Sequence, residues 1–131
     1  MEYKKIKELN NLALAYLGDA RWELEVRNYF VKKNYKVKKL NNLVRKYVRG
    51  NSQSKIYEKI KDDLTDKAKY IAKRARNSKI RSCPKSCSYK EYKNATAFEA
   101  VIAYYYYTDQ EDKIREILKK ELEGENNEEG I

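Results

Sequence analysis

The 131-residue chain contains no histidine, one proline, two cysteines and four glycines. The lack of histidine excludes triads with an imidazole base, paired-histidine ribonucleases and zinc hydrolases whose metal is held by histidines. Because the longest strongly apolar run, residues 12–17, is far shorter than the roughly 20 residues that span a bilayer, we expect no membrane-spanning segment. Any catalysis must therefore use carboxylates, amines, hydroxyls, thiols or metal.

The two cysteines, Cys83 and Cys87, form an isolated C-x3-C pair. The chain has no histidine and no further cysteine, and four thiolates would require two chains, so we expect reduced thiols rather than a zinc site. The basic N-terminal residues are not followed by an apolar segment, which gives no indication of secretion. The expected location is the cytoplasm.

Positive charge is concentrated in most of the chain. All thirty Lys and Arg residues precede Glu121, whereas five of the twenty acidic residues follow Lys120, so residues 1–120 carry a formal charge of +15. Such a charge attracts polyanions, and nucleic acid is the leading partner class. An anionic membrane surface is a weaker alternative, because the charges lack the apolar companion face of interfacial helices.

Apolar residues recur at helical spacing in nearly every segment, and strand-like alternation is nearly absent. The pattern predicts a single all-α domain of six to seven helices over residues 1–122, followed by a disordered acidic tail over residues 123–131. The first long helix is predicted from about Leu9 to Phe30, with Leu14, Leu17 and Leu24 on one stripe and Ala13 and Ala20 beside them. Gly18 inside this helix suggests the close approach of another backbone or of a ligand.

A later helix, capped by Thr65, is predicted to bury four apolar positions. These positions are Ala68, Ile71, Ala72 and Ala75. From Ser78 to Lys93 the periodicity fails, which predicts a basic loop. We predict RNA contacts for the polar residues at the end of this helix and for one loop residue, although a solvated helix face is the ordinary meaning of such a cluster. They are Lys73, Arg74, Arg76, Asn77 and Lys85.

Two acidic residues, Asp19 and Glu99, stand inside otherwise apolar helical stretches. An ionised carboxylate in such surroundings requires a cation, and a phosphodiester hydrolase without histidine would need metal held by carboxylates. Glu99 has an alternative role, because Thr96-x-x-Glu99 fits a capping box. Glu23 lies one helical turn after Asp19 and could join a metal site, or it could form an i, i+4 ion pair with Arg27.

Several segments carry a resemblance to the ribonuclease III family. Leu17-Gly18-Asp19-Ala20 resembles its signature helix, and Phe98-Glu99-Ala100-Val101-Ile102 resembles its second metal-binding helix. Residues 48–52 resemble the segment after the corresponding intervening helix of the larger enzymes. Together with residues 73–77 and 92–100, these segments extend the similarity over about residues 9–122. The chain resembles in particular Mini-ribonuclease III, the short bacterial version without a separate double-stranded-RNA-binding domain.

This resemblance implies a homodimer formed through the signature helices, in which two active sites cut the two strands of an RNA duplex. It also implies Mg²⁺, with Mn²⁺ as a substitute, bound by Asp19 and Glu99 as catalytic residues, and products with 5′-phosphate ends. The implied substrate is the paired stem that flanks large-subunit ribosomal RNA.

The sequence departs from the larger enzymes at two positions, because Leu12 and Thr96 stand where those enzymes carry further acids. Fewer direct ligands should leave more of the metal coordination to water. The same departure keeps an alternative open, namely a non-catalytic RNA-binding or ribosome-associated protein that retains the fold.

Overall fold

The computed structural model describes residues 1–78 and 88–129, with side chains through Gly124. Over these residues the regular structure is entirely helical, which confirms the predicted all-α class. The helices are α1 (Tyr3–Glu8), α2 (Asn11–Val31), α3 (Val37–Val48), α4 (Gly50–Ile60), α5 (Asp66–Arg76), α6 (Tyr89–Tyr107) and α7 (Glu111–Glu129). A single 3₁₀ turn, Lys61–Asp63, joins α4 to α5.

The centre of the domain is α6, whose residues from Asn94 to Tyr105 are all buried except Glu99. A helix that is apolar on nearly every side must be covered on every side, and α2, α4 and α5 all pack against it. The rings of Trp22 and Phe98 meet edge to face at 5.0 Å where α2 crosses α6. This crossing fixes the relative position of the two helices that carry Asp19 and Glu99.

Polar caps set the beginnings of three helices. The side chain of Asn10 accepts hydrogen bonds from two backbone N–H groups, so α2 begins at Asn11 rather than Leu9. Thr65 caps α5 as predicted. The capping box of α6 is formed by Ser88 and Glu91, one at the N-cap and the other three residues later. The capping-box interpretation of Glu99 is therefore wrong, because that residue lies in the middle of α6.

The three leucines that were predicted to share one stripe of α2 differ in burial. Leu14 is buried and Leu17 is partly buried, but Leu24 is 60% exposed. At 3.6 residues per turn, the ten residues from Leu14 to Leu24 leave the two side chains about 80° apart around the helix, which turns Leu24 outward. An exposed apolar face thus remains on α2.

Part of the predicted basic loop belongs to α6, because Lys90 and Lys93 lie in its first two turns. Cys83, Cys87 and Lys85 lie outside the described residues. At the other end of the chain, α7 continues through Glu129 and includes most of the acidic segment that was expected to be disordered. Within the described ranges, no helix combines the length and the hydropathy that crossing a bilayer requires.

Candidate active site

Asp19 and Glu99, eighty positions apart in the chain, meet where α2 crosses α6. Their side chains are within hydrogen-bonding reach of each other. Asp19 is exposed on the surface of α2, whereas Glu99 is largely buried beneath it. The pair therefore has one carboxyl group open to solvent and one held inside the fold.

Gly18 allows this encounter. A Cβ atom at position 18 would overlap the backbone carbonyl group of Glu99, so α2 and α6 touch through their backbones at this point. The sequence prediction that another backbone approaches Gly18 is confirmed. Gly18 thus directly precedes Asp19 and touches the backbone of Glu99.

Trp22 reinforces the same crossing one turn further along α2. Its ring packs against Phe98, the neighbour of Glu99, and its indole N–H donates a hydrogen bond of 2.9 Å to the backbone carbonyl of Tyr47. The fully buried indole therefore ties α2 to both α6 and the end of α3. This arrangement holds the two acids on rigid helices.

The electrostatics of the pair are those of a site that lacks a positive charge. Burial, the neighbouring charge of Asp19 and the hydrogen bond to Asp19 raise the pKa of Glu99 from 4.5 to about 9, with burial the largest cause. Without a cation, the pair therefore holds a proton between its carboxyl groups at neutral pH. A divalent cation at the exposed edge would remove the repulsion, and carboxylate oxygens are ligands that Mg²⁺ prefers.

The positions where the larger enzymes carry further acids contribute no carboxylate. Leu12 is exposed on the face of α2 that carries Asp19. Thr96 is buried, and its hydroxyl donates a hydrogen bond of 2.9 Å to the carbonyl of Tyr92 within α6. Among the described residues, no group of three or more acidic or cysteine side chains is placed to hold a metal.

Glu23 forms the ion pair with Arg27 that was the predicted alternative to metal binding. Its carboxylate lies 3.0 Å from the guanidinium group of Arg27, one turn along α2, and both side chains are exposed. The structure thus brings together two of the three predicted metal ligands.

The predicted RNA-binding residues at the end of α5 fall into two groups. Lys73 and Asn77 are exposed. Arg74 donates a hydrogen bond of 2.6 Å to the carbonyl of Lys7, and Arg76 donates one of 3.0 Å to the side chain of Asn94. Because these two guanidinium groups already bind within the fold, they connect α5 to α1 and α6.

Asn94 is a structural residue that the sequence analysis missed. Its amide group donates hydrogen bonds to Ser54 at 3.2 Å and Glu58 at 2.8 Å, while its oxygen accepts from Arg76. It therefore links α4, α5 and α6 through one buried amide. The signal in the sequence was the position of Asn94 at the start of an otherwise apolar stretch, because a buried amide needs several hydrogen-bond partners.

Comparisons with known proteins show which proteins this chain is similar to. The family description "Ribonuclease III domain" matches residues 12–110. The chain is 49% identical to a "Mini-ribonuclease 3-like protein" of Ilyobacter polytropus, over 92% of this chain and 95% of that protein. It is 37% identical to "Mini-ribonuclease 3" of Staphylococcus aureus, over 88% of each. A crystal structure of a Fusobacterium nucleatum protein, 43% identical, superposes with a TM-score of 0.85 over 92% of this chain and 97% of that one.

Proposed function

Because this chain belongs to the ribonuclease III family, whose members are RNA endonucleases, we propose that it hydrolyses phosphodiester bonds of double-stranded RNA with a divalent metal. The observation that carries this proposal is the carboxyl pair of Asp19 and Glu99. Two acids from distant parts of the chain meet at the surface, in the helices that match the family's metal-binding segments. A pair of carboxyl groups with a purely structural role would destabilise the fold, and no other interaction would compensate for the loss.

The donor set of the pair fits Mg²⁺, with Mn²⁺ as a substitute. Asp19 would hold the ion from the solvent side and Glu99 from the protein side, and Glu23 would act in the outer coordination sphere after leaving Arg27. A bound ion of this kind supplies an activated water and positive charge for the transferring phosphate. The role of the chain is to fix both carboxylates on packed helices, so that little reorganisation accompanies the reaction.

The exposed residues at the end of α5, Lys73 and Asn77, would contact the RNA. The side-chain amide of Asn11 donates to the carbonyl of Arg74 at 3.4 Å, so the end of α5 lies against the start of α2. Arg74 and Arg76 support this surface from within, and Lys85 would follow it in chain order. Contacts of this type go to phosphates and 2′-hydroxyls, and sequence preference should therefore be modest.

The physiological substrate proposed from the family resemblance is the paired stem of large-subunit ribosomal RNA precursors in the cytoplasm. The products would carry 5′-phosphate and 3′-hydroxyl ends.

The proposed enzyme is a homodimer that pairs through α2. Tyr16 is 83% exposed and Leu24 is 60% exposed on the outer face of this helix, with the exposed Ala20 between them and the exposed Ala13 one turn before Tyr16. Exposed apolar side chains in a contiguous patch indicate a protein interface. Since Asp19 borders this face, a second copy seated on it would bring the two sites together over one duplex.

Leu24→Glu is expected to convert the dimer into a monomer, because the charge would be buried without a partner in the interface. Light scattering coupled to size exclusion at micromolar concentration would measure the mass. Val37→Glu is a matched control, since Val37 is 70% exposed on α3 and lies outside the proposed interface. A monomeric parent protein, or a dimer that persists in Leu24→Glu, would contradict pairing through this face.

Cleavage of duplex RNA is expected in Mg²⁺ and should fall to background when a chelator is added. End mapping should reveal 5′-phosphates, and single-stranded RNA of the same sequence should be cut far more slowly. Duplex that is bound but stays intact at every protein and metal concentration would favour a non-catalytic RNA-binding protein, the alternative suggested by Leu12 and Thr96.

A further inference from the structure

The chain contains no acidic residue between Glu25 and Glu58, whereas ten Lys and Arg residues lie in this interval. This acid-free segment includes all of α3 and most of α4. All ten of these cations are exposed, among them Arg45, Arg49 and Lys55. A run of this length without a single neutralising carboxylate produces a local positive field well above that of the chain as a whole.

The pattern of burial in α3 concentrates this charge on one face. Val44 and Tyr47 are buried against the core. The outer face presents Lys38, Arg45 and Arg49 at spacings of about two turns and one turn, which places them in one row along the helix. The row ends at Arg49, where α3 gives way to α4.

A cleft of about 400 Å³ opens at this junction of α3 and α4, with α7 as its far wall. Nearly all of its polar lining residues carry a positive charge, an amide or a hydroxyl group: Lys46, Arg49, Asn51, Ser52, Lys55 and Lys59. Asn51 and Ser52 belong to the first turn of α4, whose leading backbone N–H groups have no acceptor within the helix. Cations and free N–H groups together suit a phosphate.

The cleft is structurally connected to the carboxyl pair. The carbonyl of Tyr47, a residue that lines the cleft, accepts the hydrogen bond of the Trp22 indole, and Trp22 lies one turn after Asp19 on α2. The junction of α3 and α4 is therefore held by the same buried side chain that packs against Phe98.

One carboxylate, Glu121 of α7, enters this basic lining. It lies 3.2 Å from the ammonium group of Lys59 and is the only acid that lines the cleft within the described part of the chain. Its side chain is 19% exposed, whereas that of Lys59 is 64% exposed. Glu121 thus occupies, with a fixed negative charge, a place where an anion would otherwise bind.

We propose that this cleft is a subsite for phosphates of the RNA duplex, in which Arg49 and Lys55 contact the backbone and Glu121 weakens the binding. The inference rests on the proposed function for its ligand. A lipid surface fits less well, because Val37 is the one strongly exposed apolar side chain of α3, and the others are buried or packed against the core and leave little to insert beside the charges.

The test measures duplex binding without cutting, in an Asp19→Asn background with chelator, by fluorescence anisotropy at several salt concentrations. Arg49→Gln combined with Lys55→Gln is expected to raise Kd about tenfold or more and to reduce the salt slope by roughly two, one for each lost phosphate contact. The matched control is Arg115→Gln with Lys119→Gln on α7, which removes the same charge from exposed positions outside the cleft. Equal effects in both pairs would overturn the subsite.

A second comparison uses substitutions that act in the opposite direction. Glu121→Gln should lower Kd several-fold, whereas Glu116→Gln should leave it nearly unchanged, although each glutamate pairs with one lysine. Equal Kd values for these two variants would contradict the role of Glu121. If the parent protein bound no duplex at all, the proposed substrate would fail. If the variant with Arg49→Gln and Lys55→Gln bound normally with an unaltered salt slope, the cleft would be refuted as a subsite, while the proposed substrate would stand.

Discussion

Glu99→Gln is expected to abolish RNA cleavage and, in metal-free protein, to raise the free energy of unfolding. The amide keeps the shape and hydrogen-bonding capacity of the protonated acid but cannot become a negative ligand. Because burial and Asp19 raise the pKa of Glu99 to about 9, the folded protein must hold this carboxyl group protonated at neutral pH. The parent chain thus carries a destabilising group that the variant lacks.

The pH dependence follows from the direction of this shift. Below pH 4.5 the carboxyl group is protonated in both the folded and the unfolded chain, and its contribution to stability is fully present. As the pH rises towards 9, the unfolded chain releases the proton while the folded chain retains it, so the free energy of unfolding falls. At pH 7 the loss is at most about 3 kcal/mol.

Denaturant unfolding at pH 5 and pH 8, with chelator present, would measure this effect. The parent protein should lose more stability between the two values than Glu99→Gln does. Glu23→Gln serves as the control, because its exposed pair with Arg27 is worth at most about 1 kcal/mol and should not affect the slope. Mg²⁺ should then raise the melting temperature of the parent and not of Glu99→Gln. Identical pH profiles for the parent and Glu99→Gln would rule out the buried carboxyl pair.

Gly18→Ala is expected to be among the most damaging single changes in the chain. The new methyl group would overlap the carbonyl of Glu99, and a backbone atom cannot rotate away as the end of a side chain can. Separating α2 from α6 would loosen the contact of Trp22 with Phe98 and move Asp19 away from Glu99. We expect a loss of about 3 kcal/mol or more, together with loss of cleavage.

Thermal unfolding followed by circular dichroism would show a decrease in Tm of about 10 °C or more for a loss of that size. Gly124→Ala in α7 provides the matched control, since a Cβ at that position meets nothing within 4 Å. The same substitution should there be neutral or stabilising by up to about 1 kcal/mol, through helix propensity alone. A folded, active Gly18→Ala protein with an unchanged Tm would show that the two backbones are not in contact.

Much of the fold could be predicted because the signals are local. The inner residues of α5 and its cap at Thr65 follow from a 3.6-residue period and one hydroxyl, and the structure confirms both. The exposure of Leu24 could not be predicted, because a helix with apolar residues on two faces does not reveal which face meets its own core.

The candidate acids could be found because charge in an apolar stretch is conspicuous in any sequence. Their burial and contact could not, because these depend on how closely two helices cross. The same holds for Arg74 and Arg76, whose sequence context resembles a free basic face but whose guanidinium groups bind Lys7 and Asn94. Long side chains choose between solvent and a neighbouring helix only once that helix is in place.

By itself, the sequence determined that the chain is helical, basic and without histidine, and that Asp19 and Glu99 are its two anomalous acids. Composition and period set these properties, and they need no partner from elsewhere in the chain. The tertiary structure alone decided that the two acids share one place, that Glu23 pairs with Arg27, and that Glu121 faces a basic cleft. These outcomes depend on distances between segments far apart in the chain, which only the packing of α2, α6 and α7 can set.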